Sequence, residues 1–173
     1  MADKFRIAVS SDFIKPDGSP AFPMFDMSPL DQEAGIEWQY LENRDGPVSA
    51  DELAGHDALI LLGQRFAPES VPADGRLAQV ARFGVGYDTV DVPACSENGI
   101  ALTITPDGVR RPVAVSIIAF MLALTGKMLI KDKLTRQGPE GFAQKINHMG
   151  VGLIGKTLGS VGIGNIGAEL FRM

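Results

Sequence analysis

The sequence predicts an α/β protein built on a parallel sheet. Three observations carry this. Short apolar runs of strand length recur, each closed by glycine or a turn residue. Short helical pieces separate them, the alternation that parallel strands require. Composition is that of an ordinary globular chain, 45% hydrophobic and 21% charged over 173 residues.

Taken in order, Phe5-Arg6-Ile7-Ala8-Val9-Ser10 reads as a buried first strand. Pro16 to Pro29 is rich in proline and glycine and reads as a loop. Ile36, Trp38 and Tyr40 alternate with Glu37 and Gln39, the period of a half-buried strand. Asp51 to Ala54 reads as a single helical turn, and Asp57 to Gly63 as a central strand. Leu77 to Phe83 is another strand, ending at Gly84-Val85-Gly86. Val92 to Asn98 reads as a helix stopped by Gly99, and Ile100 to Thr103 as a further strand. This first domain covers 1–105, with Pro106-Asp107-Gly108 at its boundary.

The second part, 106–173, opens on a long helix from about Arg111 to Gln137, ended by Gly138-Pro139. Its first half is apolar on nearly all faces, so cover on both sides is expected. Its charged second half is expected to be solvated. Residues 138–157 read as an irregular connector and Leu158 to Val161 as a strand. The run Val113 to Ile130 contains Ser116, Thr125, Gly126 and Lys127. Its unbroken apolar part is shorter than the roughly 20 residues a bilayer needs, so a helix covered at a domain or subunit interface is expected and not a membrane span.

Net charge is −5 with acids and bases interspersed, which argues against nucleic acid as the main partner. The single cysteine, Cys95, excludes an intrachain disulfide and suits a reducing compartment. It is expected to be a buried small hydrophobe. The N-terminus Met1 to Arg6 is charged and does not read as a signal peptide.

Two stretches could cradle phosphate. Val161-Gly162-Ile163-Gly164-Asn165-Ile166-Gly167 is G-x-G-x-x-G, placed between a predicted strand and a predicted helix. In such a turn the first glycine permits the tight bend. The second lets backbone approach a pyrophosphate, and the third lets the helix pack close. Gly150 to Thr157 fits G-x-x-x-x-G-K-[ST], but the preceding segment is polar and a strand and turn follow it, the wrong context for a nucleoside-triphosphate loop. Gly84-Val85-Gly86-Tyr87-Asp88 lies at the carboxyl end of a predicted strand, the edge where open parallel sheets bind ligands. His56 and His148 are the two histidines, read as a surface or turn histidine and a connector histidine. No cluster has metal-ligand spacing. Arg110 and Arg111 read as a solvated helix start, with an anion contact as the alternative.

Together these segments resemble the D-isomer-specific 2-hydroxyacid dehydrogenases. The resemblance is carried by Arg82 to Asp91 with Asn98-Gly99-Ile100, by Thr105-Pro106 leading through Pro112-Val113-Ala114, and by Gly155-Lys156-Thr157-Leu158-Gly159 followed by Val161 to Gly167. Their order matches from about residue 55 onward. The resemblance implies a flavodoxin-like parallel-sheet substrate domain at 1–105 and the start of a Rossmann NAD(P)-binding domain over 106–173. Ligand is expected in a cleft between the two. It also implies hydride transfer between NAD or NADP and a small 2-oxo or 2-hydroxy acid. Val85 and Gly86 would hold the substrate carboxylate through main-chain amides. Gly162, Gly164, Asn165, Ile166 and Gly167 would form the cofactor turn. The resemblance further implies a homodimer supported by the long helix, and a cytoplasmic setting.

The family's catalytic arginine, acid and histidine are expected beyond Met173, so no catalytic residue is assigned within 1–173 and His148 is not the family's histidine. The chain therefore reads as the N-terminal portion of the enzyme. The alternative is a catalytically inactive fragment that acts only as a binding or interaction module. Ile104 stands where the family usually has asparagine, and Val113 and Val115 fill helix-start positions that are often polar.

Overall fold

The computed structural model describes residues 4–173. Met1, Ala2 and Asp3, part of the charged N-terminal segment, lie outside the described residues. The chain divides into two compact units, one ending at Thr105 and the other spanning Pro106–Met173.

The first unit holds β1 (Phe5–Val9), α1 (Ser28–Asp31), β2 (Ile36–Tyr40), α2 (Ala50–Leu53), β3 (Ala58–Leu61), β4 (Gln79–Arg82), α3 (Val92–Glu97) and β5 (Ala101–Thr103). The strands form one five-stranded sheet in the order β2-β1-β3-β4-β5. Every pairing is parallel, with registers such as Ile7↔Trp38, Ile7↔Ala58, Leu59↔Val80 and Val80↔Leu102. This is the flavodoxin-like order, whose switch point lies between β1 and β3.

Burial follows the pairing. Leu53, Leu59, Leu61, Phe66 and Val80 are fully buried in one cluster that also takes in Cys95. Cys95 is thus the small core residue expected, and burial followed by the Asp91 carboxylate pushes its thiol upward, away from reactivity. Only the second half of β1 is buried. Phe5 and Arg6 pair with β2 alone, whereas from Ile7 the strand also pairs with β3. β2 is an edge strand with the alternating exposure its sequence predicts. α3 begins on an Asp91 cap that accepts the Ala94 N–H at 2.8 Å, and Gly99 takes φ +69° after its end.

The second unit contains α4 (Pro106–Thr125), α5 (Met128–Arg136), α6 (Pro139–Ala143) and α7 (Asn165–Arg172). Here the structure corrects several expectations. The long helix starts at Pro106 and breaks at Gly126-Lys127, where Lys127 takes φ 51°. The Thr125 carbonyl accepts the Val151 N–H at 2.8 Å, an engagement outside the helix that accompanies the break. The connector is partly ordered, through α6 and a 3-10 turn over Gln144–His148. Leu158 to Val161 is not a strand. A strand needs a ladder partner, and the second unit has none among the described residues.

Among the described residues the long helix is covered only in part. In α4 only Ala114 is buried, while Phe120 and Leu124 are 68% and 74% exposed. By length and composition α4 could cross a bilayer, a test that core helices of globular proteins also pass. α7 packs on α4, burying Leu170 and Glu169. Arg111 and Arg172 reach the Glu169 carboxylate at 3.2 and 3.5 Å.

Candidate functional site

Within the first unit the chemistry gathers at the carboxyl edge of the sheet. The end of β1 supplies Ser10, Ser11 and Asp12. Asp12 accepts the Gly63 and Gln64 N–H groups at 2.7 and 2.8 Å, and its other oxygen accepts the Ser10 hydroxyl at 2.6 Å. Ser10 Oγ in turn accepts the Leu62 N–H at 3.0 Å. Ser11 Oγ donates to the Asn43 carbonyl at 2.7 Å. These bonds tie the turns after β1, β2 and β3 together at the switch point. Sequence reasoning passed over them, because a serine–serine–aspartate run after a strand has no distinguishing spacing.

One strand further along, β4 ends at Arg82 and is followed by Phe83, whose N–H donates to the Leu61 carbonyl at 2.8 Å. Gly84 follows with φ +136°, open to glycine and strained for other residues. Its N–H donates to the Arg82 carbonyl at 2.9 Å and to Thr105 Oγ1 at 2.8 Å. The Arg82 guanidinium packs against Gly84 and donates to the Phe83 carbonyl. On the far side of the loop the Val90 N–H donates to Tyr87 O at 2.9 Å and the Asp91 N–H to Phe66 O at 2.8 Å. Between these pins the N–H groups of Val85 and Gly86 have no partner among the described residues. Val85 is half-buried and Gly86 exposed. Two adjacent unused amides, held by backbone bonds on both flanks, suit a carboxylate.

In the second unit, Gly162 takes φ +87° and its carbonyl accepts the Ser160 hydroxyl at 3.0 Å. A β-carbon placed on Gly167 would lie 3.0 Å from that carbonyl, so the third glycine allows the turn to close on the helix. The first bond of α7 runs from the Ala168 N–H to Gly164 O at 2.8 Å. Gly164 is the cap residue and offers no side chain. The N–H groups of Asn165, Ile166 and Gly167 are therefore unused, at the positive end of the helix dipole. This donor set fits a dinucleotide pyrophosphate.

The other candidates are spoken for. Gly150 to Thr157 runs as irregular chain, and no helix opens before Asn165. Arg110 pairs with Asp107 at 3.3 Å and Arg111 with Glu169. His56 is buried and not a surface residue, with Nδ1 3.3 Å from the Leu53 carbonyl, which also accepts its N–H at 3.0 Å. His148 ends a 3-10 turn. Among the described residues no three His, Cys, Asp or Glu side chains could share a metal ion.

Comparison with known proteins identifies the family. The sequence model of the D-isomer specific 2-hydroxyacid dehydrogenase catalytic domain matches residues 23–116, more than half of the chain, and the chain belongs to that family. A glyoxylate reductase of Pyrococcus furiosus is 33% identical over 160 residues, covering 88% of this chain and 47% of that protein. Among solved structures, a 2-hydroxyacid dehydrogenase of Ketogulonicigenium vulgare matches with TM-score 0.72 and 28% identity, covering 98% of this chain and 50% of the other. The NADPH-dependent glyoxylate/hydroxypyruvate reductase of Sinorhizobium meliloti, solved with NADP and malonate, matches with TM-score 0.69 and 27% identity, covering 98% and 49%. The chain spans about half the length of these relatives.

Proposed function

We propose that this member of the D-isomer specific 2-hydroxyacid dehydrogenase family serves hydride transfer between NAD or NADP and a small 2-oxo or 2-hydroxy acid. One observation carries the reading. The amides of Val85 and Gly86, and those of Asn165, Ile166 and Gly167, lack partners inside the protein and are held ready for anions. The nicotinamide, when bound, supplies or accepts the hydride at the acid's C2.

This chain's part is to bind and orient. Val85 and Gly86 donate two N–H groups to the substrate carboxylate, fixing it against the end of β4. Gly162, Gly164 and Gly167 shape the turn that lets Asn165 and Ile166 donate to the pyrophosphate. Fixing a reactant by its carboxylate orients it without touching the reacting carbon, which is where much of an enzyme's entropic advantage lies. No residue of 4–173 is assigned the proton transfer. His56 is buried with its Nδ1 turned to a carbonyl, and His148 lies in the connector.

Residues up to Thr105 are read as the substrate domain, and Pro106–Met173 as the linking helix with the first cofactor turn. The uncovered apolar face of α4 supports pairing with a second copy, the usual fate of so large an apolar patch. The lone buried thiol suits a reducing, cytoplasmic setting. The competing reading, a binding or interaction module without turnover, rests on that same α4 face.

Amide NMR of the 15N-labelled chain tests the proposal. Glyoxylate is expected to shift the Val85 and Gly86 resonances, and NADH or NADPH those of Asn165 and Ile166. Saturating ligands that leave all four unmoved would remove its support.

A further inference from the structure

We propose that the loop between β1 and α1 forms a specificity wall for the acid site, taking the apolar side chain of a 2-oxo acid larger than glyoxylate. This rests on the carboxylate reading of Val85 and Gly86 and names the kind of acid they would hold.

The loop carries Phe13, Phe22, Met24 and Phe25. It leaves the carboxyl end of β1 and reaches the end of β4, where three of these rings converge on Phe83. Phe25 lies 4.7 Å from the Phe83 ring, Phe13 5.4 Å and Phe22 5.5 Å, in tilted and edge-on contacts. Phe83 immediately precedes Gly84, so the aromatic cluster adjoins the loop that presents the Val85 and Gly86 amides. Phe13 forms the base at 4% exposure, while Phe22 and Phe25 keep 43% and 37% of their surface open and Met24 95%.

The wall is built and not slack. Ile14 and Pro20 form an antiparallel bridge. The Lys15 N–H donates to Ser19 O at 2.8 Å, the Ala21 N–H to Phe13 O at 2.8 Å and the Phe25 N–H to Phe22 O at 2.9 Å. Arg44 donates to the Ile14 carbonyl, and Asp17 accepts both the Ser19 N–H and hydroxyl. A loop so thoroughly bonded, yet holding two rings and a thioether open to solvent, is costly unless something apolar covers them. Glyoxylate has no side chain to do so. A branched or aromatic 2-oxo acid does, since a carboxylate held at 85–86 directs the rest of the molecule along the neighbouring surface.

The test uses the full chain and two probes, glyoxylate and 4-methyl-2-oxopentanoate, with affinities read from the Val85 and Gly86 amide shifts. The branched acid is expected to bind about tenfold or more tighter, the usual discrimination for added methylenes in an apolar site. It alone should shift the ring resonances of Phe22 and Phe25. In Phe22→Ser with Phe25→Ser the preference should collapse while glyoxylate affinity holds. Met24→Ser, at a nearly fully exposed position where folding is not at stake, should lower it partially. Equal affinities in the unaltered chain, unmoved rings, or a preference that survives both variants would overturn the inference and leave the carboxylate reading standing. Amides unmoved by either acid would overturn both.

Discussion

Gly84 and Thr105 are tied reciprocally: the Gly84 N–H donates to Thr105 Oγ1 at 2.8 Å, and the Thr105 N–H donates to the Gly84 carbonyl at 2.8 Å. The end of β4 is thereby latched to the residue just beyond β5, and the loop carrying Val85 and Gly86 starts from a fixed point. Thr105→Val keeps the shape and removes the hydroxyl. The hydroxyl accepts the Gly84 N–H and donates to the Gly84 carbonyl at 3.3 Å, so its loss should cost about 1–2 kcal/mol in urea unfolding. The Val85 and Gly86 amides should exchange with solvent faster. Unchanged stability and exchange would show that the latch does not support the loop.

The cofactor turn depends on Gly162 and Gly167 in different ways. Gly162→Ala places a β-carbon at φ +87°, a left-handed conformation costing roughly 1–2 kcal/mol for an alanine. Gly167→Ala brings a β-carbon within 3.0 Å of a backbone carbonyl that cannot swing aside. Both should weaken NADH binding several-fold, read from the Asn165 and Ile166 amides. Gly159→Ala has nothing within 4 Å of its added carbon and should leave binding unchanged.

Acid sensitivity should centre on Asp57. The Arg76 guanidinium, bonded to the carboxylate at 2.9 and 3.0 Å, holds its pKa below the ordinary carboxylate range. Desolvation opposes this, and the Arg6 N–H adds a smaller lowering effect. A depressed folded pKa means that the unfolded chain binds the proton first. The stabilisation is therefore full above the ordinary value of about 3.9 and is lost as pH falls through the folded value. Asp57→Asn should flatten the fall in thermal midpoint below about pH 4 and lower the midpoint at neutral pH. An acid limb as steep as that of the unaltered chain would refute this.

The open face of α4 should drive association. Phe120→Glu with Leu124→Lys replaces two exposed apolar residues by an i,i+4 ion pair of the favourable orientation, so helix content is preserved. Sedimentation at one fixed concentration should show the unaltered chain associated and the variant shifted toward monomer. Identical distributions would remove the argument for a second copy on this face.

Much of the architecture was legible before any coordinates. The runs at 57–63, 77–83 and 100–103 carry period and length enough to be strands, and Gly99 marks the end of the helix that follows Asp91. The glycine positions of the two candidate loops could be read because a positive φ or a close backbone approach leaves few alternatives to glycine. Where reading failed, the deciding partner was distant in sequence. Leu158 to Val161 has strand composition but no neighbour to pair with. The break at Lys127 coincides with Val151 bonding the Thr125 carbonyl. His56 sits in a turn by sequence and in the interior by packing.

Local pattern alone determined the five strands of the first domain and the two glycine turns, because hydrophobic period and backbone sterics act over a few residues. Tertiary structure alone decided which amides were left over. Whether the Val85 N–H is free depends on Thr105, Leu61 and Phe66 having claimed its neighbours, and whether Phe22 stays open depends on a hairpin held at Ile14 and Pro20. Such availability is a property of the whole hydrogen-bond and packing ledger, which no short stretch of sequence contains.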